Sequence, residues 1–207
     1  MPGFLRTVWI VLKKDLVVEA RSRELVYTTV FFAVAVVLIF SFSFVVEGTP
    51  LTDAAAGILW VALAFAGTLA LGRTFERERQ SETLKALLLA PVERSALYVG
   101  KLLGMLAIMS MVVLVVGPLV VVLFRVSLEG VFWHLLALIV SGGIGFAAVG
   151  TLFGAMLNRS QSRDVLLPVV LYPLTVPVMI AGVSGTAALL SAEPNIARAE
   201  VWLSMLV

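Results

Sequence analysis

The chain has 207 residues, is 61% hydrophobic and only 14% charged, and carries a formal net charge of +2 with a mean hydropathy of +1.09. Soluble domains hold about a quarter charged residues, and a water-soluble fold of this length has too little interior to hide so much apolar surface, so its solvent is lipid. Cysteine is absent, which excludes disulfides, thiolate metal sites and covalent haem attachment through a Cys-x-x-Cys-His motif.

Residues 1–24 come first. Leu5, Val8, Trp9, Leu12 and Leu16 fall at helical spacing, interrupted by Lys13, Lys14 and Asp15. That pattern predicts an amphipathic helix lying in the membrane interface. It is not a cleavable signal, because no short apolar core follows a basic start. Five apolar blocks follow, at about 25–46, 54–72, 102–124, 131–157 and 165–190. Each approaches or exceeds the roughly 20 residues needed to cross a hydrocarbon core about 30 Å thick. None alternates polar and apolar residues as barrel strands do, so all five read as transmembrane helices. The last residues, 201–207, look like the start of a sixth span with Trp202 at the outer interface. They are too few to cross, and an incomplete chain is the expected explanation.

Lysine and arginine alternate loop by loop. Thirteen lie in the N-terminal segment, the 73–101 loop and the 158–164 loop, against Arg125 and Arg198 elsewhere. The positive-inside rule places the first group, with the N-terminus, in the cytoplasm.

The 73–101 loop contains "FERERQSETLKALLLAPVERSALYVGK" from Phe75 to Lys101. Arg73, Glu76, Arg79, Glu82 and Lys85 recur every three residues with alternating sign, which supports a helix continuing out of the second span. A short apolar helix, Leu84–Ala90, is then halted by Pro91, and a new helical stretch begins at Arg94. An apolar helix held at the cytoplasmic face needs the bilayer surface or another protein to cover it.

This loop resembles the first cytoplasmic loop of ABC-2-type exporter permeases. More narrowly, the chain is similar to the cytochrome c maturation haem exporter B (CcmB) family. "AAAGILWVALAFAGTLAL" at 54–71 and "LLPVVLYPLTVPVMIAG" at 166–182 carry the narrower likeness, which covers most of the chain from about Lys14 to Gly182. The family has six spans, whereas this sequence supplies five and a fragment. The resemblance implies an all-α polytopic membrane protein, ABC-2 exporter-like. It would have an N-terminal interfacial helix (1–24) and a transmembrane permease domain (25–207), set in the bacterial cytoplasmic (inner) membrane. It implies a cytoplasmic coupling helix that docks on a separate ATP-binding subunit through Phe75, Glu76, Glu78, Leu84, Leu87, Leu88 and Pro91. Further implied partners are a haem-handling membrane protein, a small accessory membrane subunit, a second permease copy and membrane lipid, with no nucleic acid. No cofactor is expected on this chain alone; haem enters as a transported or handled ligand.

The chain's own residues agree with a permease that borrows its energy. There is no G-x-x-x-x-G-K-[ST] phosphate loop, since Gly100-Lys101 is followed by Leu102 and lacks the upstream glycine. Gly143-Ile-Gly145 lies inside an apolar span with no strand before it and reads as helix packing. Gly100/Gly104, Gly150/Gly154 and the Ala62, Ala66, Ala70 stripe read the same way. Pro168, Pro173 and Pro177, with Gly182 and Gly185, interrupt the fifth block, either as a bent gate element or as a static kink or re-entrant turn. His134, the only histidine, sits beside Trp133 and reads as an interfacial pair in an aromatic belt rather than a haem ligand.

Three functions compete: an ABC exporter permease, a secondary transporter or channel, and a non-transporting scaffold. The five spans contain no Asp, Glu, Lys or Arg, which weighs against ion-coupled transport. The coupling-type loop favours a permease over a scaffold, although the loop alone fits other ABC-2 exporters of drugs, lipids or polysaccharides. With no catalytic constellation in the sequence, an enzyme is not expected.

Overall fold

The computed structural model describes residues 3–43, 45–46, 49–50, 54–80, 92–157, 162–191 and 193–207. Helix α1 (Phe4–Ser22) turns sharply into α2 (Glu24–Ser43) at Arg23, whose backbone is left-handed (φ 51°) and whose N–H donates to the Glu19 carbonyl at 2.7 Å. A two-residue antiparallel pair, β1 (Val45–Val46) with β2 (Thr49–Pro50), leads into α3 (Ala54–Gln80). Helices α4 (Arg94–Leu123), α5 (Phe132–Met156), α6 (Arg163–Leu190) and α7 (Ile196–Ser204) complete the chain. Helices α2 to α6 are each long and apolar enough to cross a membrane, which makes this a multi-pass α-helical membrane protein.

The second and third spans are the cores of longer helices. With 27 and 30 residues, α3 and α4 would each extend about 40 Å or more at 1.5 Å per residue, beyond the roughly 30 Å of hydrocarbon. Their surplus lies at the basic end, as the charge periodicity after Arg73 predicts. The 165–190 block is one continuous helix through Pro168, Pro173 and Pro177, which sets aside the re-entrant turn among the readings of that block. Helix α7 is a nine-residue helix capped by Asn195, whose side chain accepts the Arg198 N–H at 2.9 Å, and it contains Trp202.

Helix α3 is the central post. It packs against α2, α4, α5 and α6, and 67% of its apolar window is buried, against 28% for each of α2, α4 and α6. Its contact with α5 is built on missing side chains. Trp60, Gly67, Leu71 and Phe75 of α3 meet Gly142, Phe146, Gly150 and Gly154 of α5 in order, so the two helices run parallel with a four-residue step along α5. A Cβ at Gly154 would lie 2.5 Å from the Phe75 ring, and one at Gly67 2.5 Å from the Phe146 ring. Trp60 is buried between Gly142 and Gly182 and donates its indole N–H to Thr186 at 2.9 Å. In lipid the alternative neighbour of any apolar side chain is itself apolar, so close packing of this kind, not water exclusion, holds the helices together.

Candidate functional site

The surplus turns of α3 and α4 flank residues 81–91, and the structure cross-links them through α1. One face of α1 carries Val8, Val11, Asp15 and Glu19, a stripe three to four residues apart that packs on α4 and α3. Gly100 admits Val11, whose Cβ would lie 2.8 Å from a side chain there, and Gly104 leaves room for Asp15. The glycine pair of α4 thus serves an approach within the same chain.

Around that approach stands a closed ring of alternating charge. Lys14 lies 2.7 Å from Asp15, Asp15 lies 2.7 Å from Lys101, Lys101 contacts Glu78, and Glu78 returns to Lys14 at 3.3 Å. Three helices contribute: α1 (Lys14, Asp15), α3 (Glu78) and α4 (Lys101). The side chains of Lys101 and Glu78 are only 7% and 6% exposed. Charges so buried are tolerable only when each meets an opposite partner, and here every member touches two. Burial lowers the Lys14 pKa, but hydrogen bonding and attraction to Asp15, with further attraction to Glu78, outweigh it and leave the ammonium above its usual 10.5. A second tie lies beside the ring: Arg77 pairs with Glu19 at 3.3 Å and donates to Ser22 at 3.1 Å, while Glu19 also accepts the Val26 N–H at 2.8 Å. Tyr98 links α4 to α5 by donating to the Ala148 carbonyl at 3.0 Å.

The sequence-derived candidates divide on this geometry. Phe75 is buried against Gly154 and Glu78 belongs to the ring, so both face this chain's own helices and present no surface to a partner. Glu76 lies on the opposite side of α3, bonded to Arg79 and Gln80. Leu84, Leu87, Leu88 and Pro91 fall outside the described residues. Pro173 and Pro177 sit on the exposed side of α6, with Pro168 half-buried. His134 meets Glu200 of α7 at 3.7 Å, a partner invisible to local sequence reading. Sequence reasoning missed Lys14, Asp15, Glu19, Arg77 and Lys101 as interacting groups. The signal was present in the Gly100-x-x-x-Gly104 notch, which brackets Lys101 and marks where another helix comes close.

Comparison with known proteins gives consistent matches. The CcmB protein family profile matches residues 6–207. A protein named heme exporter protein B from Rhodobacter capsulatus is 31% identical over 153 residues, covering 73% of this chain and 69% of that protein. The heme exporter protein B of Pseudomonas aeruginosa is 24% identical over 186 residues, covering 90% and 82%. That of Haemophilus influenzae is 22% identical over 172 residues, covering 82% and 76%.

Proposed function

This chain belongs to the CcmB protein family, and on that premise we propose that it is the permease subunit of a haem-export ABC transporter required for c-type cytochrome biogenesis. The family match across residues 6–207 carries the reading. A separate ATP-binding subunit hydrolyses ATP, and this chain turns the resulting motion into export of haem or release of a haem-loaded carrier. Haem is the handled ligand and not a resident cofactor. A haem-handling membrane protein, a small accessory membrane subunit and a second permease copy complete the assembly, in the cytoplasmic membrane with the N-terminus inside.

The basic end supplies a mechanical rationale. Residues 81–91 are the docking segment for the ATP-binding subunit, with Leu84, Leu87, Leu88 and Pro91 as its contact. Glu76, half-buried and bonded to Arg79 and Gln80, lies on the adjoining turn. Displacement of that segment is delivered to α3 and α4 together, because the charge ring joins Glu78 directly to Lys101 and ties both to α1. Helix α3, packed against four other helices, then distributes it. Helix α6 is the candidate moving element, since each interior proline removes one backbone hydrogen bond and leaves the helix more compliant there.

The test is affinity purification of the tagged chain from its native membrane. An ATP-binding subunit and a haem-handling membrane protein should co-purify, and Leu87→Asp with Leu88→Asp should release the former while the permease stays inserted. Undiminished co-purification by that double variant overturns the docking assignment. Orientation is checked separately by cysteine labelling, simple in a chain without native cysteine. Impermeant reagent reaching a cysteine placed at Gln80 in intact cells would reverse the topology.

A further inference from the structure

Helix α6 is held unevenly along its length. Across residues 181–190 it buries Ala181, Gly182, Gly185, Thr186, Ala188 and Leu189, whereas across 165–174 only Leu167 and Leu171 are buried. The later part is also pinned by specific fits. The Trp60 ring of α3 fills the notch at Gly182 and donates its N–H to Thr186 at 2.9 Å, and Gly185 closes on Leu138 of α5 and Trp202 of α7.

Between the two parts lie Pro173, Thr175 and Pro177. The prolines have no N–H, so the Val169 and Pro173 carbonyls lose their usual donors four residues on, and each ring presses on the carbonyl behind it. Val169, Pro173 and Pro177 all lie on the exposed side of the helix, so the missing bonds and the crowding fall there and favour a bend toward the bundle. Thr175 is fully buried on the opposite side and donates to the Leu171 carbonyl at 2.9 Å, a back-bond that itself tends to bend helices. Backbone compliance is thus concentrated just before the pinned part. The first part meets α3 through one polar contact, in which the Tyr172 hydroxyl lies 3.4 Å from that of Thr68. Thr68 gives its own proton to the Ala64 carbonyl at 2.8 Å, so Tyr172 is the donor. The Tyr172 ring stands edge-on to the exposed Phe65, with centroids 6.0 Å apart.

We propose that α6 is a hinged gate with a fixed half and a moving half. Residues 178–190 stay fitted to α3 and α5, while residues 163–172 swing away from α3 about the turns that hold Pro173 and Pro177. Straightening of the helix at the prolines carries the moving half outward, and the Tyr172–Thr68 contact is the latch that parts. Parting leaves the Thr68 proton on Ala64 and only the Tyr172 hydroxyl without an acceptor, so opening separates no charge. In apolar surroundings even one hydroxyl without an acceptor is unfavourable, which makes the closed form the resting one. This inference rests on the reading of α6 as the moving element and adds to it the hinge, the half that moves and the contact that holds it shut.

The test is double electron–electron resonance on the purified full-length chain in lipid nanodiscs, with spin labels on introduced cysteines, since the chain has none of its own. One label sits at Val140 of α5 and the other at Val169 or Ile180 of α6, all three exposed. The Val140–Ile180 pair should give a single narrow distance, and the Val140–Val169 pair a second, longer one. Tyr172→Phe removes the latch bond and should raise the longer population about three- to fivefold. Pro173→Ala with Pro177→Ala restores both backbone donors and should abolish it. A Val169 distance as narrow as the Ile180 one in both wild type and Tyr172→Phe overturns the gate. A longer population that survives the double alanine variant overturns the hinge, and one unmoved by Tyr172→Phe overturns the latch. The distances are read in the permease alone, so the hinge can fail while an ATP-binding subunit still co-purifies, and the reverse.

Discussion

Helix α3 is held in two chemically different ways along its length. From Trp60 to Phe75 it is fitted against α5 by bulk set opposite absence, an aromatic or leucine side chain where the partner has glycine, or the reverse. Three residues beyond Phe75, Glu78 enters a ring of four charges shared with α1 and α4. The apolar region resists sliding, because moving α3 along α5 would drive Trp60 and Phe75 out of their notches. The charged region resists separation, because pulling any one helix away leaves buried charge without a counterion. The transmission of a push proposed above needs both properties, and this chain keeps them on one helix.

The comparison breaks most visibly at Lys101. Lys101→Met leaves Asp15 and Glu78 with only Lys14 between them, and losing one partner of a buried charge pair costs about 3–5 kcal/mol. The thermal unfolding midpoint in detergent should fall sharply, and protease should cut α1 more readily. Adding Glu78→Leu to Lys101→Met leaves a matched Lys14–Asp15 pair and should restore most of the loss. A single variant as stable as the wild type would show that the ring holds nothing together.

The apolar region should break more gently and with a sharper contrast. Gly142→Ala pushes a methyl group into the Trp60 ring, which cannot retreat because Gly182 lies on its other side and Thr186 holds its N–H. Overpacking of this kind costs about 1–3 kcal/mol. Next to it, Gly143 has nothing within 4 Å of an added Cβ, so Gly143→Ala should be neutral or stabilising by up to about 1 kcal/mol. Equal effects of the two alanines on the unfolding midpoint would refute the notch description.

These two regions were unequally legible in the sequence. The five spans and the helical extensions past Arg73 and before Lys101 could be read because lipid-facing composition and opposite charges at three-residue spacing are local signals. The inward facing of Phe75 and Glu78 had no local signal, because in "RTFERER" polar residues surround Phe75 on both sides and the charge periodicity runs through Arg73, Glu76 and Arg79. The buried face continues from Leu71 through Phe75 to Glu78, one helical turn at a time, and a carboxylate occupies a core-facing position because α1 and α4 bring lysines to meet it. Helix α1 was half legible. Of the five residues whose spacing predicted an interfacial helix, Leu5, Trp9 and Leu16 are exposed and Leu12 is half-buried, but Val8 is buried and faces the protein with Val11, Asp15 and Glu19. No single-helix periodicity separates two such faces.

Lys14 offers a milder probe of the charged region. Its pKa is raised in the fold, so its contribution is complete below the unfolded value of 10.5 and fades as pH rises through the higher folded value. Wild type and Lys14→Met should therefore differ in unfolding midpoint by a constant amount from neutral pH to about pH 10, and converge above that. A difference that shrinks toward neutral pH would mean that Lys14 acts through something other than its ammonium.

The smallest effect is expected at the opposite end, where charge occurs without burial. His134 approaches Glu200 at 3.7 Å, but their side chains are 33% and 61% exposed, and Trp133 beside them is exposed too. A pair so open to solvent contributes about 0–1 kcal/mol, against several for the buried ring. An axial haem ligand would need a neighbour that orients its imidazole, and a carboxylate 3.7 Å away and mostly exposed gives little orientation. His134→Ala should therefore leave c-type cytochrome assembly within about twofold of normal, as befits a change of about 0.5 kcal/mol. The measurement is mature cytochrome c per unit of membrane-inserted permease. If cytochrome is lost while the permease is present at normal abundance, and Glu200→Gln leaves assembly intact, His134 acts on something other than its observed partner and becomes a candidate haem contact.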